Sequence, residues 1–366
     1  MSIRFTAILL LLLTVAMSGA CHSNPFYDPS KPHHRKDGFR NNYEEKGTRS
    51  FFELMSWKLS AWWDGVPKEP EGGYQPEVVT PDLVALNEHR GNPSVTWIGH
   101  ATMLVQMGGL SILTDPHFTE RASPSGSFGP KRRVPPALSL EQLPHIDAVV
   151  ISHNHYDHLD RKTVERLAVQ PGGAPMYFVP LGLKAWFAEQ GIANVTEMDW
   201  WDLAEYRGLR VHFTPTQHWS ARTRFDTMET LWGGWLLESP DFRFYFAGDT
   251  GYSRDFRDIH DRLGPVDLAA LPIGAYEPRW FMKIMHIDPD EAVQIHHDLG
   301  ARYSVGMHWG TFQLTDEPID EPPRRLAEAL ARSGISPERF FVLRIGETRA
   351  MEPLLAQARP MPTPAR

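Results

Sequence analysis

The chain of 366 residues is almost without cysteine, Cys21 being the only one. No intramolecular disulfide can form, so stability must come from packing and from any bound metal. Blocks of one charge are also scarce. The 37 Lys and Arg are interspersed with 45 Asp and Glu, for a formal net charge of -8. The densest basic run is only Lys131-Arg132-Arg133. A stripe that could follow a phosphate backbone is missing, which argues against nucleic-acid binding. Long apolar runs are missing too, since the stretch from Phe5 to Met17 is short for a membrane span. No short tandem repeat or low-complexity tract is present. Aromatic residues, by contrast, are plentiful: 12 Trp and 19 Phe imply a well-filled core, or an apolar surface or substrate channel. With 42% hydrophobic and 22% charged residues, the chain suits one large globular domain or two ordinary ones.

Arg4, the Phe5 to Met17 run and Ser18-Gly19-Ala20-Cys21 follow the order of an export signal, covering residues 1–21. Cys21 stands where a bacterial lipoprotein carries its lipidated cysteine, although Ser18 replaces the preferred Leu or Val. Ordinary secretion or an uncleaved anchor are the alternatives. His22 in place of Asp favours the outer membrane, so the expected location is the cell envelope, at the outer membrane or in the periplasm. Residues 22–91 read as an extension. Its first part, to about residue 50, is a polar tether. The aromatic stretch Phe51 to Trp63 has helical spacing and either packs on a core or meets lipid. A main domain is expected over 92–350 and a flexible tail over 351–366.

Within the main domain, short apolar runs at 95–98, 103–107 and 110–114 predict strands, with Gly108-Gly109 as a hairpin turn. Strands at 148–151 and 176–179 then alternate with helices near 162–168 and 183–190. Further strands are predicted at 209–214, 234–238, 242–247, 268–272, 303–307 and 340–343, with helices at 289–299 and 324–332. Hairpins followed by β-α alternation imply an α/β body of sheets covered by helices.

Chemistry concentrates after the fourth strand, where residues 147–160 read DAVVISHNHYDHLD. Alternate side chains of extended backbone share one side, so His153, His155 and Asp157 can converge on one cavity. His158 leaves in another direction and can serve a second metal. Imidazole and carboxylate are the ligands zinc uses when one position must stay open to water. Three more residues of ligand type stand just beyond apolar strands: His218, Asp249 and His308. Taken singly each suits an ordinary strand end, but together with the dense motif they form a set.

These residues and their flanks carry a resemblance. The HxHxDH motif with a later His, Asp and His is similar to the metal pattern of the metallo-β-lactamase superfamily. Trp97-Ile98-Gly99-His100-Ala101-Thr102, Leu113-Thr114-Asp115-Pro116, Gln217-His218-Trp219, the run 246–252, the run 271–282 and Met307-His308-Trp309-Gly310 narrow it. Over about residues 92–350 the chain resembles the N-acylphosphatidylethanolamine-hydrolysing phospholipase D family. That resemblance implies a metallo-β-lactamase-like αβ/βα four-layer sandwich and two zinc ions, other divalent metals being possible. His153, His155 and His218 would hold one ion, Asp157, His158 and His308 the other, and Asp249 would bridge. The implied reaction is zinc-dependent phosphodiester hydrolysis of an N-acylated phosphatidylethanolamine, giving phosphatidic acid and an N-acylethanolamine. Water coordinated by two ions, its pKa lowered to about 7, would attack phosphorus. The same centre could instead hydrolyse lactones, esters or amides. Asp157 would accept or shuttle a proton, and His286 would orient phosphate or protonate the leaving alkoxide. Tyr156 is expected to face the substrate, Lys131 and Arg132 to meet an anionic headgroup, and His100 and Asp115 to orient metal ligands. The implied partners are a phospholipid substrate and a membrane surface reached through a lipid anchor at Cys21. Nothing in the sequence fixes an oligomeric state.

Overall fold

Most strands bury both faces, and that dictates the layering. The computed structural model of the chain describes residues 23–44, 48–88 and 91–351. The export signal, Cys21 and the tail beyond residue 351 lie outside the described residues. A small hairpin of β1 (His34–Arg35) and β2 (Gly38–Phe39) precedes helices α1 (Phe51–Asp64) and α2 (Leu83–Glu88). Strands β3 (Ser94–Gly99), β4 (Thr102–Met107), β5 (Leu110–Thr114), β6 (Ala148–Val150), β7 (Met176–Pro180) and β8 (Val195–Met198) form one sheet. Helices α3 (Arg161–Leu167) and α4 (Lys184–Glu189) cross over between its parallel members.

The second sheet runs through β9 (Leu203–Tyr206), β10 (Leu209–Thr214), β11 (Gly234–Glu238), β12 (Arg243–Phe246), β13 (Leu268–Pro272), β14 (Tyr303–Met307) and β15 (Phe340–Val342). Helices α5 (Asp255–Leu263), α6 (Arg279–Met282), α7 (Pro289–Asp298) and α8 (Glu321–Ser333) belong to this half. Strand β16 (Thr348–Ala350) returns to pair antiparallel with β3 at the edge of the first sheet. Each sheet begins antiparallel and becomes parallel.

Period-2 alternation sends side chains to both sides of each sheet. Trp97, Val105, Val211, Phe213, Trp235 and Phe246 fill the space between the sheets. Leu236, Tyr245 and Leu271 point outward beneath Phe256, Ile295 and Leu326 of α5, α7 and α8. Leu104, Val149 and Tyr177 meet Val164 and Phe187 of α3 and α4 on the opposite face. The result is the expected four-layer αβ/βα sandwich. Helix α8 starts three residues before its predicted beginning because Pro322 and Pro323 occupy its first turn, where a missing N–H costs nothing.

The expected polar tether is corrected. Its described part, residues 23–44, is seated on the body: His33, His34, Phe39 and Asn41 are buried. The physical reason is Asp199, a buried carboxylate that draws in His33 Nε2 at 2.7 Å, His34 Nε2 at 2.9 Å and Lys31 Nζ at 2.5 Å. The boundary expected at residue 92 is not sharp either. Val79 donates to Ile345 O and the Tyr74 hydroxyl to Gly310 O, so the stretch from Pro67 to Pro81 straps the domain. Among the described residues no helix is long and apolar enough to cross a membrane.

Candidate metal centre

Four strand ends converge. His153, His155, Asp157 and His158 follow β6 of the first sheet, while His218, Asp249 and His308 follow β10, β12 and β14 of the second. The loops are drawn tightly together. Gly233 N donates to Ser152 O, linking the two halves. Gly248 has φ +61°, and a Cβ there would stand 2.5 Å from Ser152 Cβ. Only glycine fits that approach.

Two groups of donors result. His153 Nε2 lies 2.8 Å from His155 Nδ1, and His218 Nε2 lies 3.3 Å from the same Nδ1. Beside them, His158 Nε2 and His308 Nε2 are 3.2 Å apart, each 3.4 Å from Asp157 Oδ2. Asp249 touches both groups: Oδ2 is 3.1 Å from His158 Nε2 and 3.9 Å from His218 Nε2, and Oδ1 is 3.1 Å from His308 Nε2.

The outward nitrogens are already committed. His218 Nδ1 donates to Met285 O at 2.9 Å, so its Nε2 carries a lone pair into the centre. His158 Nδ1 meets Asp115 Oδ2 at 2.6 Å, and His153 Nδ1 meets Ser152 Oγ at 2.9 Å. Asp115 also accepts from Ser152 N at 2.7 Å. Such partners fix ring orientation and tautomer in metal sites. Backbone strain gathers here as well. His100, Asp115 and His308 adopt φ of 55°, 33° and 61°, left-handed values that cost about 1–3 kcal/mol each in non-glycine residues.

Electrostatics make the same demand. Burial drives His155 down to about 4 and His218 to about 3, leaving neutral imidazoles. Burial pulls on His308 too, but Asp249 and Asp157 outweigh it and raise that ring to about 9. Burial works against Asp157 and Asp249, yet the surrounding imidazoles hold both well below the usual carboxylate range. Buried carboxylates among crowded lone pairs call for cations, and metal binding displaces the protons that otherwise fill this role. Imidazole and carboxylate donors suit divalent transition metals.

The remaining expected residues are placed as follows. His100 Nε2 lies 3.0 Å from Asp157 Oδ2, and its ring is 4.0 Å from that of His308, so it stands beside the ligands as Asp115 does. Asp157 is thus crowded by three imidazoles and is a weak proton acceptor. His286 is partly buried with Nδ1 3.8 Å from Asp249 Oδ2, and desolvation lowers it to about 3. A neutral ring there can offer an N–H as a hydrogen-bond donor but is a poor source of a proton. The Tyr156 hydroxyl donates to Arg222 O, and its ring lies 4.1 Å beneath the Arg222 guanidinium. Both line a cavity of about 540 Å³.

Arg132 does not meet the expectation of a headgroup contact. It is buried, and its guanidinium donates to the carbonyls of His117 and Thr119, as a buried polar group must find partners. Lys131 is exposed and paired with Glu120 at 2.8 Å, outside the metal centre. Sequence reasoning missed Ser152, Trp219, Arg222 and Asn41. Trp219 stands edge-on to His155 at 4.4 Å, and its place next to His218 was the only signal. Arg222 holds the ligand loop by donating to Asn154 O and Leu159 O.

Residues 111–309, which include all seven ligand-type residues, match the family described as a β-lactamase superfamily domain. The N-acyl-phosphatidylethanolamine-hydrolyzing phospholipase D 1 of Caenorhabditis elegans is 45% identical over 265 residues, 69% of this chain and 74% of that protein. The mitochondrial N-acyl-phosphatidylethanolamine-hydrolyzing phospholipase D of Saccharomyces cerevisiae is 36% identical over 284 residues, 75% of this chain and 60% of that one. The isothiocyanate hydrolase from Delia radicum gut bacteria shares the fold, with a TM-score of 0.56 at 21% identity, over 70% of this chain and 98% of that chain. The chain is therefore a metal-dependent hydrolase of the metallo-β-lactamase fold, and it belongs to the N-acylphosphatidylethanolamine-hydrolysing phospholipase D family.

Proposed function

We propose that the chain is a zinc-dependent phosphodiesterase that cleaves N-acylated phosphatidylethanolamine to phosphatidic acid and an N-acylethanolamine. The observation that carries this reading is Asp249, whose carboxylate touches both donor groups at once. A shared carboxylate is what two ions need to flank a single phosphate. His153, His155 and His218 would hold one zinc, and Asp157, His158 and His308 the other. Bound there, the pair would neutralise phosphate oxygens and lower the pKa of water to about 7. The chain's own residues supply position and exclusion. Asp115, Ser152 and Met285 O keep the imidazoles aimed inward, the neutral His286 offers an N–H to a phosphate oxygen, and Trp219 closes one side with an apolar edge.

Helix α1 supports a lipid substrate. Trp57 and Ala61 pack on Phe281, Met282 and Met285, with Trp219 against the same cluster. Several outward residues are aromatic, among Ser56, Lys58, Ser60 and Asp64: Phe52 is 83% exposed, Trp62 75% and Trp63 81%. Aromatic side chains on an outward helix suit the boundary between water and acyl chains. A lipidated Cys21 in the cell envelope would bring this face to a membrane.

The test is incubation of purified, zinc-loaded protein with N-acylated phosphatidylethanolamine in ¹⁸O-water, followed by mass spectrometry. The expected products are N-acylethanolamine and phosphatidic acid bearing one heavy oxygen in its phosphate. Label appearing only in a released fatty acid would mean ester or amide cleavage and would reject the phosphodiesterase reading.

A further inference from the structure

The N-terminal segment reaches the metal centre itself. Asn41 is buried against His218, 177 residues away along the chain, and its side-chain amide grips that residue's peptide group from both sides. Asn41 Nδ2 donates to His218 O at 2.9 Å, and Asn41 Oδ1 accepts from His218 N at 3.0 Å. The second lone pair of Oδ1 accepts from Trp232 Nε1 at 3.0 Å. One side chain thus fixes the backbone of a ligand-type residue in the manner of a strand partner, and the buried Trp232 fixes that side chain in turn.

The same segment is itself held in place. Phe39 N donates to Met228 O at 2.9 Å, and a Cβ on Gly38 (φ +149°) would lie 2.3 Å from that oxygen. Behind it, Asp199 binds Lys31, His33 and His34. His33, His34 and Asp199 resemble a further set of metal donors. The Lys31 ammonium, however, already supplies the positive charge that the carboxylate needs. This cluster is a clasp for the segment, and its consequence lies at Asn41.

We propose that Asn41 is a positioning residue of the metal centre, holding His218 where its Nε2 can bind an ion together with His153 and His155. The inference rests on reading His218 as a metal ligand, and it applies to any divalent ion. Outside the donor group, the His218 ring is held by a hydrogen bond to Met285 O, and its peptide follows a strand end rather than lying in a ladder. Without Asn41 the buried N–H and C=O of His218 would lose their partners, and the loop would move to satisfy them.

The experiment is a zinc titration of the purified full chain against a chromophoric chelator, with the cobalt(II) absorption spectrum as a report of ligand geometry. Wild type should bind two ions. Asn41→Ala should weaken one of them tenfold or more, leave the other within twofold, and alter the cobalt spectrum. Asn41→Asp keeps the acceptor but loses the donor to His218 O, so its effect should be intermediate. Asn42→Ala removes a neighbouring bond, from Asn42 Nδ2 to Asp255 Oδ1 at 2.8 Å, and should leave both ions unchanged. If Asn41→Ala and Asn41→Asp bind both ions as wild type does, or weaken both alike while only the melting temperature falls, the proposal is overturned. A wild-type chain that binds no ion would overturn the ligand reading on which it rests.

Discussion

The two halves of the molecule contribute to one centre in opposite ways. The first concentrates His153, His155, Asp157 and His158 in a single loop after β6, braced by Arg222 and by the pairing of His158 with Asp115. The second disperses His218, Asp249 and His308 over three strand ends, each held by contacts from elsewhere in the chain. A compact loop keeps its own residues together through local turns, with His158 N and Leu159 N both donating to His155 O. Dispersed ligands depend on the sheet, on Met285 O, on His100 O for the His308 amide, and on a segment nearly two hundred residues upstream. The first half therefore supplies a preformed claw and the second a surface that must be assembled.

Substitutions can break or sharpen this contrast. The largest effect is expected at Asp249, whose carboxylate oxygens lie 3.1 Å from His158 and His308 and 3.9 Å from His218. Asp249→Ala should lower phosphodiesterase turnover by about a thousandfold or more, comparable with losing a principal charge-stabilising group. Metal analysis should show both ions affected. Next, on the proposed role of His286 in orienting phosphate, His286→Ala should reduce kcat by about a hundredfold while zinc stoichiometry stays the same. If zinc is lost as well, His286 belongs with the ligands.

Within the compact half, Asp115→Asn replaces the carboxylate on His158 Nδ1. Chelator competition should find metal affinity reduced by about 10–100-fold. A smaller change is expected from Asp199→Asn, which weakens the clasp of the N-terminal segment and should cost about 2 kcal/mol in thermal unfolding. Because Lys31, His33 and His34 hold Asp199 well below the ordinary carboxylate range despite its burial, this stabilisation is present at neutral pH. It is lost only as acid protonates Asp199, so the gap between wild type and variant should close at low pH. The least change is expected from replacing Trp62 and Trp63 together with Ser. Soluble short-chain phosphodiesters should turn over normally, with KM raised only on vesicles.

Legibility followed the same division. The compact motif could be read directly, because His153, His155, Asp157 and His158 crowd a short loop after an apolar strand. His218, Asp249 and His308 could be picked out only through their shared position after apolar strands. The sandwich was legible because runs such as 148–150 and 268–272 are apolar throughout, as strands buried on both faces must be. Strand β9 escaped notice because it lies at a sheet edge with half its side chains in water. Helix α5 escaped because DFRDIHDRL is mostly charged and buries little beyond Phe256 and Ile259. Arg132 was misread because a basic triplet looks solvated until the carbonyls of His117 and Thr119 are seen to claim its middle member. The N-terminal segment was misread for a related reason: the partners of His33 and His34 lie 166 and 165 residues downstream.

The division of ligands between the halves has a mechanical consequence. His155 and His218 are separated by 63 residues, and His158 and His308 by 150. An ion held by either pair closes a long loop and ties one sheet to the other. In a chain with a single cysteine, such ions would act as reversible staples. By the loop-entropy relation for cross-links, each would contribute about 4–5 kcal/mol against unfolding. The metals that would activate water would thus also set how long the folded protein survives, and a cell short of them would lose the protein along with its activity.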